Sequence, residues 1–245
     1  MSPLEVVALS GGKDSTAMAL RLAEVEPDAE RVYFCTPTGD ELPDMQAHWA
    51  KLESLLGQPL VRVTEHTLDG LIEKWDALPN GRMRWCTRML KIRPCLDYLA
   101  TLKGREHVLC VGLRADEPTR EGIYSDDVVN RFPLREWGWG LAEVKGYLRE
   151  RGVTVPPRTD CARCYAQRLG EWWALWREHP EIWAHAEAQE KATGHTFRSD
   201  TRDTWPAALC EMRARFEAGG RPARAGQLPI FDDEDDQGPC RVCRL

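Results

Sequence analysis

Ser10-Gly11-Gly12-Lys13-Asp14-Ser15 lies between the apolar run Val6-Val7-Ala8-Leu9 and the stretch Thr16-Ala17-Met18-Ala19-Leu20-Arg21-Leu22-Ala23. A short apolar run with β-branched residues suits a buried strand, and the Ala and Leu content that follows suits a helix. The order is therefore strand, glycine-rich turn, helix N-terminus. At such a junction the unpaired backbone N–H groups and the positive end of the helix dipole converge, which favours an anion. Gly11 and Gly12 permit a tight turn and close approach to a ligand. Lys13 adds a point charge suited to phosphate oxygens, and Asp14 and Ser15 are expected to cap the first turn.

Further strands and helices alternate outward from this junction. Arg31–Cys35 reads as a second strand, Pro43 or Asp44 to Leu56 as a helix stopped by Gly57, and Leu60–Val63 as a third strand. A helix is expected near Leu68–Trp75, a basic segment Arg82–Pro94 leading into a helix to Leu102, and a fourth strand at Val108–Val111. Phe132-Pro133-Leu134 reads as a short extended piece, and Leu141–Arg151 as an amphipathic helix ending at Gly152. This alternation predicts an α/β fold with a doubly wound, mostly parallel sheet. After Pro156-Pro157 the pattern becomes helical, with helices expected at Leu169–Glu178, Pro180–Ala192 and Pro206–Ala218. Three regions follow: a nucleotide-binding α/β domain over 1–152, a helical C-terminal module over 153–225, and an acidic tail over 226–245.

The chain of 245 residues is long enough for one sizeable core. No apolar run is long enough to cross a bilayer. The early first strand argues against a secretory signal, so cytoplasmic residence without membrane attachment is expected. Much of the net charge of −6 comes from Asp232–Asp236, which leaves a nearly neutral body without a global basic excess. The ten tryptophans read first as helix packing and second as stacking surfaces for bases.

Loops at the carboxyl ends of parallel strands carry ligand sites in open α/β sheets. That rule directs Thr38, Gly39 and Asp40 toward a nucleotide, with a plain capped turn as the competing reading of Asp40. Gly112, Arg114, Asp116, Glu117 and Arg120 follow the fourth strand. There the two arginines could clamp phosphates and the carboxylates orient them or bind Mg²⁺, or all four could pair among themselves. Arg84, Arg88 and Lys91 share a helical face if the helix begins early, as an anion site or as a solvated basic surface.

The nine cysteines are expected as thiols, metal ligands or redox groups, not as a disulfide framework. Cys161 and Cys164 have the spacing for one metal centre, Cys240 and Cys243 form a second such pair, and Cys86 lies in the basic segment. Spacing leaves three readings open. One is an iron–sulfur cluster on Cys86, Cys161 and Cys164; another is a four-cysteine zinc site; the third is a dithiol couple. Cys35 and Cys110 read as core residues.

The hexapeptide at Ser10–Ser15 resembles the pyrophosphate-binding loop of the PP-loop ATP pyrophosphatases. Trp85-Cys86-Thr87 with Leu90-Lys91 and Pro94, the loop after the second strand, and the Gly112–Arg120 loop resemble the phosphoadenosine-phosphosulfate reductase family over about residues 5–170. The resemblance implies a PP-loop (HUP-like) fold that binds an adenine nucleotide. It places cluster ligands at Cys86, Cys161 and Cys164. Two features depart from the assimilatory reductases: Thr87 stands where they carry a second adjacent cysteine, and the tail carries a pair where they carry a lone cysteine. Sulfonucleotide reductases generally lack the loop lysine, so Lys13 sides with the ATP-using branches. What this implies is ATP and Mg²⁺ as cofactors, adenylation with pyrophosphate release, and sulfur transfer to a nucleic acid or nucleotide. Lys13, Cys86 and Arg114 would be catalytic, a sulfur-donor protein would be a partner, and the chain would form a homo-oligomer. The alternatives are a sulfonucleotide reductase using the tail cysteines, or a nucleotide-binding partner subunit without chemistry of its own.

Overall fold

The computed structural model describes residues 2–120 and 128–222. Five strands, β1 (Leu4–Ala8), β2 (Arg31–Cys35), β3 (Leu60–Arg62), β4 (His107–Cys110) and β5 (Asn130–Arg131), form one sheet in the order β3-β2-β1-β4-β5. Every pairing is parallel. The register sets Val7 beside Tyr33 on one side and Cys110 on the other.

Alternation along the strands sorts side chains to two faces. Val7, Leu9, Tyr33, Cys35 and Cys110 pack under α1 (Lys13–Val25), α2 (Pro43–Leu56) and α7 (Leu141–Glu150). Leu4, Val6, Phe34 and Leu109 pack on the other face against Leu99 of α5 (Arg93–Thr101). The sheet is covered on both faces, as its apolar strands require. β1 lies at its centre and is the strand that carries the Ser10–Ser15 turn.

A third cluster joins α3 (Leu68–Trp75) to α8 (Leu169–Glu178), α9 (Pro180–Thr193) and α10 (Leu209–Glu217). Trp172 and Trp183 are fully buried within it, their rings meeting edge to face at 6.0 Å. These tryptophans pack helices. The C-terminal helices thus share a core with α3 of the α/β region.

Several local expectations need correction. Phe132-Pro133-Leu134 is not extended: Pro133 opens a short helix, α6 (Pro133–Glu136), where its missing N–H costs nothing. The last helix begins at Leu209 and not at Pro206, because the buried Glu190 carboxylate accepts the Leu209 N–H at 2.7 Å and fixes the start there. Asp14 and Ser15 do not cap α1. Gly12 occupies the cap position without a side-chain cap, Ser15 Oγ donates to Gly12 O at 3.1 Å, and Asp14 pairs elsewhere. The basic segment forms a single turn, α4 (Trp85–Thr87), which widens into a π-helical turn at Arg88–Ile92 before α5. Pro94 explains the widening: it has no N–H for the Leu90 carbonyl, and its ring would strike that carbonyl in a regular helix. In the wider turn the Arg93 N–H bonds instead to Arg88 O. Arg84, Arg88 and Lys91 therefore do not share one face. Arg88 is exposed, while Lys91 turns into a pocket. Cys240, Cys243 and the acidic run lie outside the described residues.

Candidate functional site

The strand order places a topological switch point between β1 and β4, where the crevice outside the carboxyl ends of an open α/β sheet binds ligands. The Ser10–Ser15 loop leaves β1 at this point. Gly11 has φ +91°, and a Cβ there would lie 2.8 Å from both Met45 Cε and Trp49 Nε1. Helix α2 covers the loop so closely that only glycine fits. Trp49 Nε1 donates to Ser10 O at 3.0 Å and fixes the entry to the turn, while the Ser10 and Ser15 hydroxyls meet at 3.1 Å. Lys13 opens α1 and is partly exposed at this end of the sheet.

β4 delivers the second wall. A Cβ on Gly112 would lie 3.1 Å from Ser15 N and 3.2 Å from Asp14 C, so the two loops touch backbone to backbone. Arg114, with its side chain only 2% exposed, is held by three carboxylates. It reaches Asp14 at 3.1 Å, Asp116 at 2.8 Å and Glu117 at 3.4 Å. Arg120 pairs with Glu117 at 3.4 Å. Arg135 of α6, which sequence reasoning passed over, fastens the same loop by donating to Glu117 O at 2.7 Å and Arg120 O at 2.5 Å. Asp116 also accepts the Leu141 N–H at 2.9 Å. Although burial opposes it, the Arg114 hydrogen bond and that N–H hold the Asp116 carboxyl below its ordinary value. At Asp14 burial outweighs the pull of Lys13 and Arg114 and holds the carboxyl above it.

The third wall joins the loop after β2 to the Cys161–Cys164 turn. Thr38 donates to Glu41 at 2.7 Å and meets Cys161 Sγ at 3.3 Å. The Gly39 N–H donates to the same carboxylate at 3.1 Å. Asp40 is buried, accepting from Arg163 Nε at 2.6 Å and from the Arg163 N–H at 2.9 Å, while its carbonyl accepts the Ala162 N–H at 2.6 Å. The Asp40 carboxylate is thus spent on the cysteine turn.

Cys86, Cys161 and Cys164 line one pocket with Thr38, Lys91 and Tyr165. The π-helical turn is what brings Lys91 round to the side of Cys86. Burial pushes all three thiols up, Cys161 to about 12, and the Lys91 charge pulls Cys86 and Cys161 the other way. The cysteine turn reaches back to the first loop, since a Cβ placed on Gly12 would lie 3.6 Å from Thr159 Oγ1. Phosphate-loop and thiol walls therefore adjoin through residues 159–161.

Among the described residues no three His, Cys, Asp or Glu side chains converge closely enough to hold a single metal ion. Cys86, Cys161 and Cys164 are soft donors lining one pocket, and in donor chemistry they suit either zinc or an iron–sulfur group. Cys35 and Cys110 are buried in the sheet, Cys95 is partly buried and Cys210 is exposed.

A model of the phosphoadenosine phosphosulfate reductase domain family matches residues 5–160. Two uncharacterized proteins of Methanocaldococcus jannaschii are similar. One is 26% identical over 195 residues, covering 73% of this chain and 39% of its own length; the other is 27% identical over 190 residues, covering 71% and 44%. The chain spans less than half the length of these curated relatives. Among solved structures, the phosphoadenylyl-sulfate reductase of Candida auris, in a phosphate complex, superimposes with a TM-score of 0.50 at 17% identity, over 63% of this chain and 75% of that one. The U34-tRNA thiolase NcsA of Methanococcus maripaludis, with its 4Fe-4S cluster, gives a TM-score of 0.49 at 15% identity, over 99% and 80%. No helix among the described residues is long and apolar enough to cross a membrane. With the glycine-rich loop at the end of β1 and the family model matched over more than half of the chain, the chain belongs to the phosphoadenosine phosphosulfate reductase domain family.

Proposed function

We propose that this protein is an ATP-dependent sulfur-transfer enzyme, and that it adenylates its substrate before sulfur enters. The observation that carries this reading is the meeting of two walls: the Lys13-bearing loop and the pocket lined by Cys86, Cys161, Cys164 and Lys91, joined where Thr159 lies against Gly12. A phosphate-binding loop alone would serve many reactions. Thiols opening beside it give the activated atom a nucleophile.

In the first step a substrate oxygen attacks the α-phosphorus of ATP, the bond to the β-phosphate oxygen breaks, and pyrophosphate leaves. The uncapped N–H groups of α1 and the Lys13 ammonium stabilise the departing charge, and Mg²⁺, when bound with the nucleotide, would supply further charge neutralisation. In the second step a sulfur nucleophile attacks the carbon bearing the adenylyl group, and its C–O bond breaks to release AMP. An iron–sulfur group on Cys86, Cys161 and Cys164 would supply a place to hold sulfur between donor and acceptor. Lys91 sets a positive charge beside Cys86 and Cys161, favouring an anionic sulfur there. The basic side chains of the Arg82–Arg93 segment beside the pocket suit a nucleotide or nucleic-acid acceptor, and a sulfur-donor protein completes the cycle.

Anaerobically purified protein is expected to show broad visible absorption that bleaches on reduction, with iron and sulfide counted on the same sample. A colourless protein with stoichiometric zinc refutes the cluster. Lys13→Ala is expected to lower pyrophosphate release from ATP by about 100-fold or more, the scale for removing one donor to a transition-state anion. Equal release by the variant refutes the role of the loop. The family match over residues 5–160 favours a second reading, reduction of a sulfonucleotide with the tail thiols as attackers. Cys240→Ser with Cys243→Ser abolishes sulfite release on that reading and leaves pyrophosphate release untouched on the first.

A further inference from the structure

Resting on the reading that Cys86, Cys161 and Cys164 act together, we propose that Arg163 is the positioning residue of the cysteine turn, holding Cys161 and Cys164 in register with Cys86. Arg163 stands between the two cysteines, where sequence gives it no evident role. Its side chain is 3% exposed. The guanidinium ties together four parts of the molecule. Nε and Nη2 both reach Asp40 Oδ1 at 2.6 Å, on the loop after β2. Nη1 donates to Asp69 Oδ1 of α3 at 2.8 Å and to Gln189 Oε1 of α9 at 2.5 Å. The Arg163 backbone N–H adds a bond to Asp40 Oδ2 at 2.9 Å.

The partners are themselves held. Asp69 Oδ1 also accepts from Gln189 Nε2 at 2.8 Å and faces His185 Nε2 at 3.1 Å. The remaining polar groups of the turn are engaged as well. Ala162 O accepts from Gln167 Nε2 at 2.6 Å, and Cys161 O accepts from the Cys164 N–H at 3.2 Å and from Arg158 Nη2. The turn has no helix or sheet of its own, apart from a single bridge between Glu41 and Cys161. These side chains help set its place, with Ala162 packed into the helical cluster and Arg202 donating to Tyr165 O and Ala166 O, and the Arg163 guanidinium links the sheet side to the helical side directly. A planar fork with donors in three directions is needed here, which a lysine ammonium cannot imitate. Since the α3 and C-terminal helices anchor one end of this tie, it also gives them a part in arranging the thiols.

The test is alkylation of the metal-free protein under argon, with iodoacetamide and residue-resolved mass spectrometry. R163K is expected to raise the labelling rates of Cys161 and Cys164 at least about tenfold while Cys86 and the exposed Cys210 stay within about twofold of wild type. D69A, which removes the acceptor of one tie at a partly exposed position, is expected to raise the same pair by a few-fold. Should R163K lose its far-UV circular dichroism, the D69A rates decide by themselves. Wild-type labelling of Cys161 and Cys164 in the folded variants overturns the proposal, as does an equal acceleration at all four cysteines, which signals general loosening. Iron uptake is measured separately: a wild type that takes up no iron refutes the cluster, while selective labelling still establishes what Arg163 does.

Discussion

Replacing Arg114 with methionine distinguishes a latch from a phosphate clamp. The guanidinium is buried against Asp14, Asp116 and Glu117. Removing one member of a buried ion network costs about 3–5 kcal/mol, because the others stay buried without their counter-charge. Each carboxylate retains some compensation here: Lys13 acts on Asp14, Arg120 pairs with Glu117, and Asp116, its side chain 45% exposed, meets solvent and the Leu141 N–H. The loss should fall near the lower end, about 3 kcal/mol, which for a chain of this size lowers Tm by about 6–12 °C. The penalty also depends on pH. Arg114 favours the charged forms of Asp14 and Asp116 in the folded state; the Asp14 share is lost as pH falls toward 4, because burial holds that carboxyl above its ordinary value, whereas Asp116, held below its ordinary value, stays charged there. Wild type and variant should therefore draw closer, without meeting, as pH falls from 7 toward 4. Urea unfolding at both pH values measures this. A loss below about 1 kcal/mol at pH 7, or a gap unchanged at pH 4, refutes the latch and returns Arg114 to the role of an open phosphate ligand.

Gly11→Ala forces a side chain onto φ +91° and into Met45 and Trp49; the conformational cost alone is about 1–2 kcal/mol. Nucleotide affinity, read by calorimetry, should fall at least about tenfold while the fold survives, and unchanged affinity would show that the loop does not touch the nucleotide. Glu190 offers a pH test of the helical side. Burial pushes its carboxyl up to about 7 against the pull of the Leu209 and Phe197 N–H groups. A carboxyl raised in the folded state stabilises at low pH and loses that contribution as pH rises through its folded value. Wild type should lose up to about 2–3 kcal/mol between pH 5 and 8 relative to Glu190→Gln, since each pKa unit corresponds to about 1.4 kcal/mol. Parallel pH profiles would refute it.

Legibility in the sequence followed the range of the forces involved. Helix α3 spans Leu68–Trp75 and α2 stops at Gly57 as the pattern predicts, because apolar period and a left-handed glycine act within a few residues. β5 escaped notice because two residues carry no period; Asn130 and Arg131 are a strand only through pairing with β4. The π-helical turn arises from Pro94 meeting a carbonyl four residues back, a conflict that spacing rules for regular helices do not register. At the site, Gly11, Lys13 and the three cysteines announce themselves by local motif. Arg163 and Arg135 do not, since Asp40, Asp69 and Gln189 stand far from Arg163 in sequence and Arg135 bonds to carbonyls that any residue could supply.

The loop after β2 has a task that a fold-level rule does not register. Its residues follow the carboxyl end of β2, the end at which open α/β sheets carry ligand sites. Asp40 nevertheless turns its carboxylate to Arg163, and Thr38 turns its hydroxyl to Glu41 and Cys161. The loop is therefore a bracket between sheet and thiols. Through it the cysteine turn is referred to the same β-sheet frame that sets the Ser10–Ser15 loop, and through Thr159 it meets that loop directly. The two-step chemistry proposed above would need such a shared frame: an atom activated at the first wall would have to lie within reach of sulfur at the second, since misplacement by even 1 Å can cost about a hundredfold in rate.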